Sequence, residues 1–262
     1  MAIKNTPWSS SKAAVAHECR RRYNLKYHLK QKGAPSKNSA GLVGSAVHTM
    51  IESLLKGKAL DDAYRAACTI TPLTTEERRT VREFVDASNR FLTRFNAFCA
   101  KRNVLGTHLH IELEVAFKRD GELCDYWDKD GYWRGKWDVG VEVHSPSGLR
   151  IIIMDHKTGT PSQDKTDAYT AQLNSYLVSA LYAYPELVSA QTVIHWVKED
   201  DDTQVFQWGE SYTRERIKEE LVPWFYAHYD EANARAADSP VPTAGWYCNF
   251  CEYIATCPAH NQ

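Results

Sequence analysis

The alternation of apolar and polar positions divides the chain into a helical first part and a second part rich in strands. Before Gly106, apolar residues recur at helical spacing. Beyond it, aromatic and β-branched residues alternate with polar ones, which is the pattern of half-buried strands. The first predicted helix is capped by Ser9, Ser10 or Ser11, runs to about Lys32 and ends at Gly33-Ala34-Pro35. Three more helices are predicted in the first part, at Val43–Lys56, Leu60–Cys68 and Thr75–Arg102.

The second part predicts strands interleaved with helices. The strands are expected at His108–Lys118, Tyr132–His144, Leu149–His156, Gln191–Lys198 and Gln204–Trp208, and the helices at Lys165–Ala183 and Thr213–Ala237. Strands that alternate with helices after an all-helical start indicate one α/β domain. We expect residues 1–105 to form its helical part, 106–240 its core and 241–262 a short cysteine-rich tail.

Composition places the chain among ordinary globular proteins. Its 262 residues are 43% hydrophobic and 25% charged, which excludes the disordered and collagen-like classes. No apolar run approaches the ~18 residues that a membrane span needs. Because the first residues contain no secretory signal, we expect a cytoplasmic protein whose seven cysteines are thiols or metal ligands rather than disulfides.

Charge is nearly balanced overall but uneven along the chain. The formal net charge of −1 gives no general attraction to a polyanion. One run nevertheless contains basic residues and no acidic ones: Arg20, Arg21, Arg22, Lys26, Lys30, Lys32 and Lys37. A solvated helix face explains such a run, and a nucleic-acid contact is the alternative.

The candidate chemistry begins at the end of an apolar strand. The two-residue period of a strand places Asp155 and Lys157 on one face. On the preceding strand, Asp138 would meet Asp155 if the two strands were antiparallel neighbours. Two carboxylates and a lysine form a hard-oxygen site for magnesium or manganese, and a pair of exposed, charged strand ends is the simpler alternative.

Two helices and an earlier strand carry further candidates. His48 lies early in its predicted helix, and Glu52, four residues later, is expected to orient its other ring nitrogen. Gln172 and Tyr176 are also four residues apart, on the helix that follows the strand of Asp155, and point at whatever that strand end binds. Two glutamates on one strand face are candidates for an extra acidic group near a metal, or for simple solvent exposure: Glu112 and Glu114.

In chain order these residues form four short motifs. The motifs are G-x-x-x-H from Gly44 to His48, G-x-x-D from Gly135 to Asp138, D-x-K from Asp155 to Lys157, and Q-x-x-x-Y from Gln172 to Tyr176. The series resembles the RecB-like branch of the PD-(D/E)xK nuclease superfamily. The resemblance implies a restriction-endonuclease-like fold, with a central mixed β-sheet flanked by helices.

The same resemblance implies roles for individual residues in the hydrolysis of phosphodiester bonds. The implied ligands of magnesium or manganese are His48, Asp138, Asp155 and the backbone carbonyl of His156. Lys157 is implied to position and activate water, and Gln172 and Tyr176 to support the site and contact DNA. In such a reaction the cation neutralises the charge that develops on the phosphate and the leaving oxygen.

The cysteines supply a second pattern. Cys248, Cys251 and Cys257 form C-x-x-C-x5-C followed by a proline, and Cys19 is a remote fourth thiol. Such a four-ligand set suits either zinc or an iron–sulfur cluster. It resembles the iron–sulfur subgroup of the same nucleases, seen in AddB-type subunits and in the Cas-four exonucleases of CRISPR systems. That resemblance implies a 4Fe-4S cluster that clasps the tail to the N-terminal part, close to the arginines implied to bind DNA: Arg20, Arg21 and Arg22.

Together these patterns predict a metal-dependent DNA exonuclease with a structural cluster, active in recombination, repair or spacer acquisition. We expect it to act on single-stranded DNA or DNA ends, beside a helicase, an annealing protein or an integrase. The sequence lacks the loop G-x-x-x-x-G-K-[ST], so the chain is not itself a helicase motor. The alternatives are a catalytically inactive DNA-binding subunit of a recombination complex and a structure-selective endonuclease.

Overall fold

A computed structural model describes residues 7–34, 39–70 and 72–260 of the protein. The α-helices are α1 (Ser10–Glu18), α2 (Arg20–Tyr23), α3 (Ser39–Leu55), α4 (Leu60–Ile70), α5 (Thr75–Arg82), α6 (Val85–Lys101), α7 (Gln163–Ala183), α8 (Arg214–Arg216) and α9 (Val222–Ala237). Short π-helical turns follow α2 at Asn24–His28 and α8 at Ile217–Leu221. Within the described residues, every helix is too short or too polar to cross a lipid bilayer.

Five strands form one sheet with both parallel and antiparallel pairs. They are β1 (Leu109–Phe117), β2 (Trp133–Ser145), β3 (Gly148–Lys157), β4 (Leu187–Trp196) and β5 (Phe206–Thr213), in the spatial order β1-β2-β3-β4-β5. β3 runs antiparallel to β2 and parallel to β4, and β5 runs antiparallel to β4. The parallel pair is joined by the crossover helix α7, as parallel strands require. The predicted α/β fold with a mixed sheet flanked by helices is confirmed.

The hairpin of β2 and β3 fixes the positions of the two candidate carboxylates. Val139 is paired with Met154, and the pairing continues to the turn at Gly148. Gly148 has a φ of 113°, a left-handed conformation that favours glycine. Because position 139 faces position 154, Asp138 and Asp155 are neighbours across the two antiparallel strands, as predicted.

The first predicted helix is interrupted in the structure. It begins as predicted, with the Ser9 hydroxyl accepting from the backbone N–H of Lys12, but it breaks at Cys19. Cys19 is extended (φ −153°, ψ 110°), and the chain becomes helical again at the next residue. The Cys19 sulfur then accepts from the backbone N–H of Arg22 at 3.5 Å, in the manner of an N-cap. Helical structure ends at His28, before the predicted end at about Lys32, and Pro35 and Lys37 lie outside the described residues.

Further boundaries differ from the prediction, among them that of the last strand, which is Phe206–Thr213 instead of Gln204–Trp208. The helix expected over Thr75–Arg102 is two helices, because the backbone N–H groups of Glu83 and Phe84 donate to carbonyls three residues back, at 3.1 and 3.0 Å. The fourth strand begins at Leu187 rather than at Gln191, since Leu187 already pairs with β3.

The described chain forms two compact units. The unit that we call the terminal unit comprises the described residues within Met1–Asn38, Ala116–Arg134 and Val222–Gln262. The sheet unit comprises those within Ser39–Val115 and Gly135–Leu221. That the whole chain acts as a single domain stays a prediction.

Each unit has its own packed interior. In the terminal unit, α1 packs against α9, and the buried Trp133 donates from Nε1 to the hydroxyl of Tyr229 at 2.8 Å. In the sheet unit, apolar residues of α3 and α6 cover β2 and β3, with Met50 and Phe91 among the most deeply buried. Burial of this kind is the main stabilising contribution in a domain of this size.

Candidate active site and metal centres

The candidate site lies in the sheet unit, where β3 ends. Asp155 and Lys157 form an ion pair there, with Oδ2 and Nζ 2.5 Å apart. The Asp155 side chain is 3% exposed and that of Lys157 is 16% exposed. Within the described residues, Asp155 Oδ2 accepts no directed hydrogen bond. A buried carboxylate oxygen in this state needs a nearby positive charge, which Lys157 supplies.

Asp138 and His48 meet at the same strand end. Asp138 Oδ2 accepts from the backbone N–H of His156 at 2.7 Å, and its Oδ1 lies 3.3 Å from His48 Nδ1. The other ring nitrogen of His48, Nε2, lies 2.9 Å from the carbonyl oxygen of His156. The structure therefore brings the predicted carboxylate, imidazole and carbonyl together.

Glu52 does not orient His48. Its Oε1 lies 2.5 Å from Nζ of Lys56, one turn further along α3. Both ring nitrogens of His48 instead face groups on β2 and β3. That expectation is wrong because a lysine four residues further along the same helix captures the carboxylate.

The two carboxyl groups have pKa values displaced in opposite directions. For Asp138, burial is outweighed by the hydrogen bond and charge of His48, which hold the pKa well below its usual range. For Asp155, burial raises the pKa against the charge of Lys157 and together with that of Asp138. Burial also acts to lower the pKa of Lys157, but the Asp155 charge prevails and raises it. Opposite displacements in adjacent carboxyl groups are typical of functional sites.

Two buried histidines, His156 and His195, lie in the interior next to the site. His156 Nδ1 lies 2.9 Å from Nδ1 of His195, whose ring stacks on Phe91 with centroids 4.3 Å apart. Burial lowers the pKa of His156 to about 3, so the ring is neutral near pH 7. His156 thus reaches the site through its backbone, and its side chain belongs to the interior.

Gln172 on α7 bridges the ion pair of β3. Its Nε2 donates to Asp155 Oδ1 at 3.1 Å and to the Tyr176 hydroxyl at 2.6 Å. Its Oε1 accepts from Lys157 Nζ at 3.3 Å. Gln172 therefore reaches this strand end as predicted, Tyr176 contacts Gln172, and a direct contact of either residue with DNA stays a prediction.

Glu112 of β1 joins the site. Single ligand atoms of Glu112, His48 and Asp138 all lie within 4.8 Å of one another. The Glu112 carboxylate also pairs with the ammonium of Lys136, while Glu114 is exposed. Of the two glutamates that the sequence offered, Glu112 is therefore the acidic group near the centre.

The donor set fits a hard divalent cation. Residues of this site line a groove of about 540 Å³, which also exposes Thr158 and Tyr169. The available donors are the carboxylates of Asp138, Asp155 and Glu112, the ring of His48 and the carbonyl of His156. Such an oxygen-rich set with one imidazole suits Mg²⁺ or Mn²⁺.

A second candidate centre lies in the terminal unit. Four cysteines line one cavity of about 240 Å³: Cys19, Cys248, Cys251 and Cys257. Backbone N–H groups face two of the sulfurs, that of Arg22 at Cys19 and that of Gly245 at Cys248, at 3.5 and 3.4 Å. N–H groups directed at sulfur are a feature of iron–sulfur sites. The structure thus brings the four predicted thiols to one place.

The three adjacent arginines differ in their surroundings. Arg20 pairs with Asp238 at 2.8 Å, and Arg22 donates from Nε to Glu252 at 2.9 Å. Arg21 is half-buried. Contacts between these arginines and DNA stay a prediction, and the ion pair of Arg22 fixes it beside the cysteine cavity.

A sequence profile settles the family. The profile of the PD-(D/E)XK nuclease superfamily matches residues 7–258. The chain belongs to this superfamily. It is therefore assigned to hydrolases that cleave phosphodiester bonds, while the identification of Asp155-His156-Lys157 as its D-x-K motif stays a prediction.

The fold resembles that of a solved structure. This is the crystal structure of a protein described as a "putative exonuclease" from Eubacterium rectale, with a TM-score of 0.54 and 13% sequence identity. The alignment covers 95% of this chain and 87% of that one. At 13% identity, this comparison shows only that the two proteins have similar folds. No curated protein matches the chain.

Sequence reasoning missed several residues of this PD-(D/E)XK site, among them Tyr169 in the groove and His195 beside it. His195 lies in an apolar strand, and neither its spacing nor its neighbours in sequence distinguish it from a core residue. Its contact with His156 arises from the parallel pairing of β3 and β4, in which the two residues face each other. Only the strand order could have identified it.

Proposed function

We propose that the protein is a metal-dependent deoxyribonuclease that degrades DNA from an end, with single-stranded DNA as the favoured substrate. The observation that carries the proposal is the convergence of Asp138, His48 and Lys157 at one groove of the sheet unit, where Lys157 is paired with the buried Asp155. Family membership supports the hydrolase, and the resemblance of the motifs to RecB-like nucleases supports DNA as the substrate.

The ligands proposed for Mg²⁺ or Mn²⁺ are the carboxylates of Asp138 and Asp155, the His48 ring and the His156 carbonyl. When bound, the cation would supply Lewis-acid stabilisation of the charge that develops on the phosphate. Asp138 accepts from the His156 backbone and so fixes its own orientation before a cation arrives. Such preorganisation removes reorganisation cost from the reaction.

Lys157 is proposed to position the attacking water and the phosphate. Asp155 and Gln172 hold its ammonium at the groove, and the ring of Tyr169 lies 4.3 Å away. The ammonium has three N–H donors, so it can keep the ion pair and still donate to an oxygen of water or phosphate. This role predicts that removal of the ammonium stops hydrolysis without removing DNA from the protein.

The test compares release of nucleotides from 5′- and 3′-labelled single-stranded DNA by anaerobically purified protein, with Mg²⁺ or Mn²⁺. Lys157→Ala should lose at least about 100-fold in rate while retaining DNA binding, a loss within the range seen when one electrostatic donor is removed. Lys198→Ala is the matched control, because Lys198 pairs with Glu83 and is absent from the groove. RNA of the same sequence shows whether the sugar matters.

Three outcomes would change the proposal. Equal rates for the wild type and Lys157→Ala would overturn the active site. Tight DNA binding with no degradation of any linear DNA would favour an inactive architectural subunit. Cutting of a closed single-stranded circle would favour an endonuclease over an end-dependent enzyme.

We further propose that the four cysteines hold a 4Fe-4S cluster. Within the described residues, no three of their sulfurs lie mutually within 4.8 Å. Four thiolates around zinc, at Zn–S distances of about 2.3 Å, would lie about 3.8 Å apart. In a cluster, iron and sulfide atoms separate the thiolates further, which suits the cavity of about 240 Å³. Zinc without iron in anaerobically purified protein would contradict the cluster and leave the nuclease proposal intact.

A further inference from the structure

A second group of metal-ligating side chains lies in the sheet unit, outside the groove described above. His108 ends the 3₁₀ turn before β1, while Glu142 and His144 lie two residues apart on β2. One ligand atom from each of the three lies within 4.8 Å of the other two. The rings of His108 and His144 have centroids 4.4 Å apart.

Glu142 is held by groups around it. Its Oε2 lies 3.0 Å from His144 Nε2, and its Oε1 lies 2.6 Å from His110 Nε2. The hydroxyl of Tyr184 lies 3.0 Å from the same nitrogen of His110. The Glu142 side chain is 14% exposed and that of His144 is 52% exposed. One carboxylate oxygen therefore contacts His110, while the other contacts the half-exposed ring of His144.

This arrangement is separate from the catalytic groove. Glu142 lies four residues from Asp138 on β2, which corresponds to about 13 Å along a strand. Paired catalytic metals lie only about 3.5–4 Å apart. None of His108, Glu142 and His144 lines the groove of about 540 Å³.

We infer that His108, Glu142 and His144 form a binding site for a divalent transition metal of the zinc class. Two imidazoles and one carboxylate are a donor set of zinc sites, with the fourth position open to water. His110 would orient the carboxylate, as partners of metal ligands commonly do. A metal held there would join the turn before β1 to β2, at the edge of the sheet.

The test measures zinc bound by chelator-stripped protein that carries no histidine tag. Zinc is titrated by calorimetry and counted after dialysis. The His108→Gln/His144→Gln double variant should bind one zinc fewer than the wild type. His48→Gln should retain this equivalent, and His228→Gln, in the terminal unit, should behave like the wild type. Zinc at about 100 times the dissociation constant should raise the midpoint of thermal unfolding by about 5 °C in the wild type and less in the double variant.

Equal zinc stoichiometry and equal thermal shifts in the wild type and the double variant would overturn the inference. If the double variant does not fold, the single variant His144→Gln replaces it, since that side chain is half exposed.

Ring signals of histidine in nitrogen NMR spectra of the wild type give an independent readout. One equivalent of zinc should shift the signals of His108 and His144, and unchanged signals would also overturn the inference. Neither result depends on whether the protein degrades DNA.

Discussion

Glu112 adopts a left-handed backbone conformation, with φ = 58°, inside β1. A residue with a side chain pays on the order of 1–3 kcal/mol for a sparsely populated backbone region of this kind. The same residue carries a carboxylate toward His48 and Asp138. Local strain is thus found at the residue that adds a third acidic group to the site.

Replacing that carboxylate should weaken the metal site. We expect Glu112→Gln to raise the Mn²⁺ concentration that gives half-maximal nuclease activity by about 10-fold or more, the lower end of the effect of supporting groups at metal sites. Glu114→Gln, two residues away and exposed, is the matched control. The measurement is a metal titration of the initial rate. Superimposable titrations of the two variants would remove Glu112 from the metal site.

Lys12 of the terminal unit is a buried cation. It is 7% exposed, and its Nζ lies 4.7 Å from the centre of the Trp8 ring. Burial, with a smaller effect of the Arg134 charge, lowers its pKa from 10.5 to about 8. Between these two pH values the unfolded chain binds more protons than the folded one, so the free energy of unfolding should increase as pH rises.

Between pH 7.5 and 9.5, Lys12 should add about 2 kcal/mol to the free energy of unfolding, from about 1.4 kcal/mol for each pH unit above the folded pKa. Lys12→Met keeps the length of the side chain and lacks the titrating group. Urea unfolding of both proteins at the two pH values measures the difference, in which the titration of all other groups cancels. A parallel pH response in the two proteins would show that Lys12 titrates normally.

The helices and strands could be predicted from the sequence where a single local pattern of residues determines them. The strands that carry Asp138 and Asp155 follow the two-residue period, so their positions and their meeting were predictable. The break at Cys19 was not, because the flanking residues favour a helix and the interruption depends on the sulfur accepting from the Arg22 backbone. The sequence could not show which of Glu112 and Glu114 lies near the metal site. The choice depends on the two-residue alternation of side chains along a strand, and the positive φ of Glu112 interrupts that alternation.

A buried hydrogen bond joins β2 to α7. Trp137 donates from Nε1 to the Ser179 hydroxyl at 3.0 Å, and both residues are fully buried. Ser179→Ala should lower the free energy of unfolding by about 1–3 kcal/mol, because it leaves a buried donor unsatisfied. Chemical denaturation measures this change.

The chain offers a matched control for that prediction. Ser88 is also fully buried, but within the described residues its hydroxyl has no hydrogen-bond partner. Ser88→Ala removes the hydroxyl without orphaning a donor, so stability should stay equal or rise slightly. A loss as large as that of Ser179→Ala would mean that the cost in both variants comes from packing rather than from hydrogen bonding.

At the scale of the whole molecule, each unit is assembled from separate parts of the chain. The terminal unit draws on three segments, and its cysteine cavity joins Cys19 to three cysteines near the other end of the sequence. A group that links such distant positions restricts the unfolded chain strongly, so its ligands should matter for stability.

Cys19→Ser should therefore lower both the iron content and the thermal stability of anaerobically purified protein. We expect the wild type to contain about four iron atoms per chain, the content of a 4Fe-4S cluster. Cys124→Ser, in the same unit but away from the cavity, should match the wild type. Iron content by metal analysis and unfolding by calorimetry test both variants. Wild-type iron and stability in Cys19→Ser would remove Cys19 from the ligand set.

The pairing of α1 with α9 also sets an order of events during synthesis. About 200 residues separate the two helices, which a ribosome adds in roughly 10–40 s at about 5–20 residues per second. Over that time Trp8 lacks Tyr229 of α9, one of the rings near which it packs in the finished protein. The segment that forms α1 is thus synthesised well before the helix on which it packs, and complete folding of the terminal unit must await the synthesis of α9.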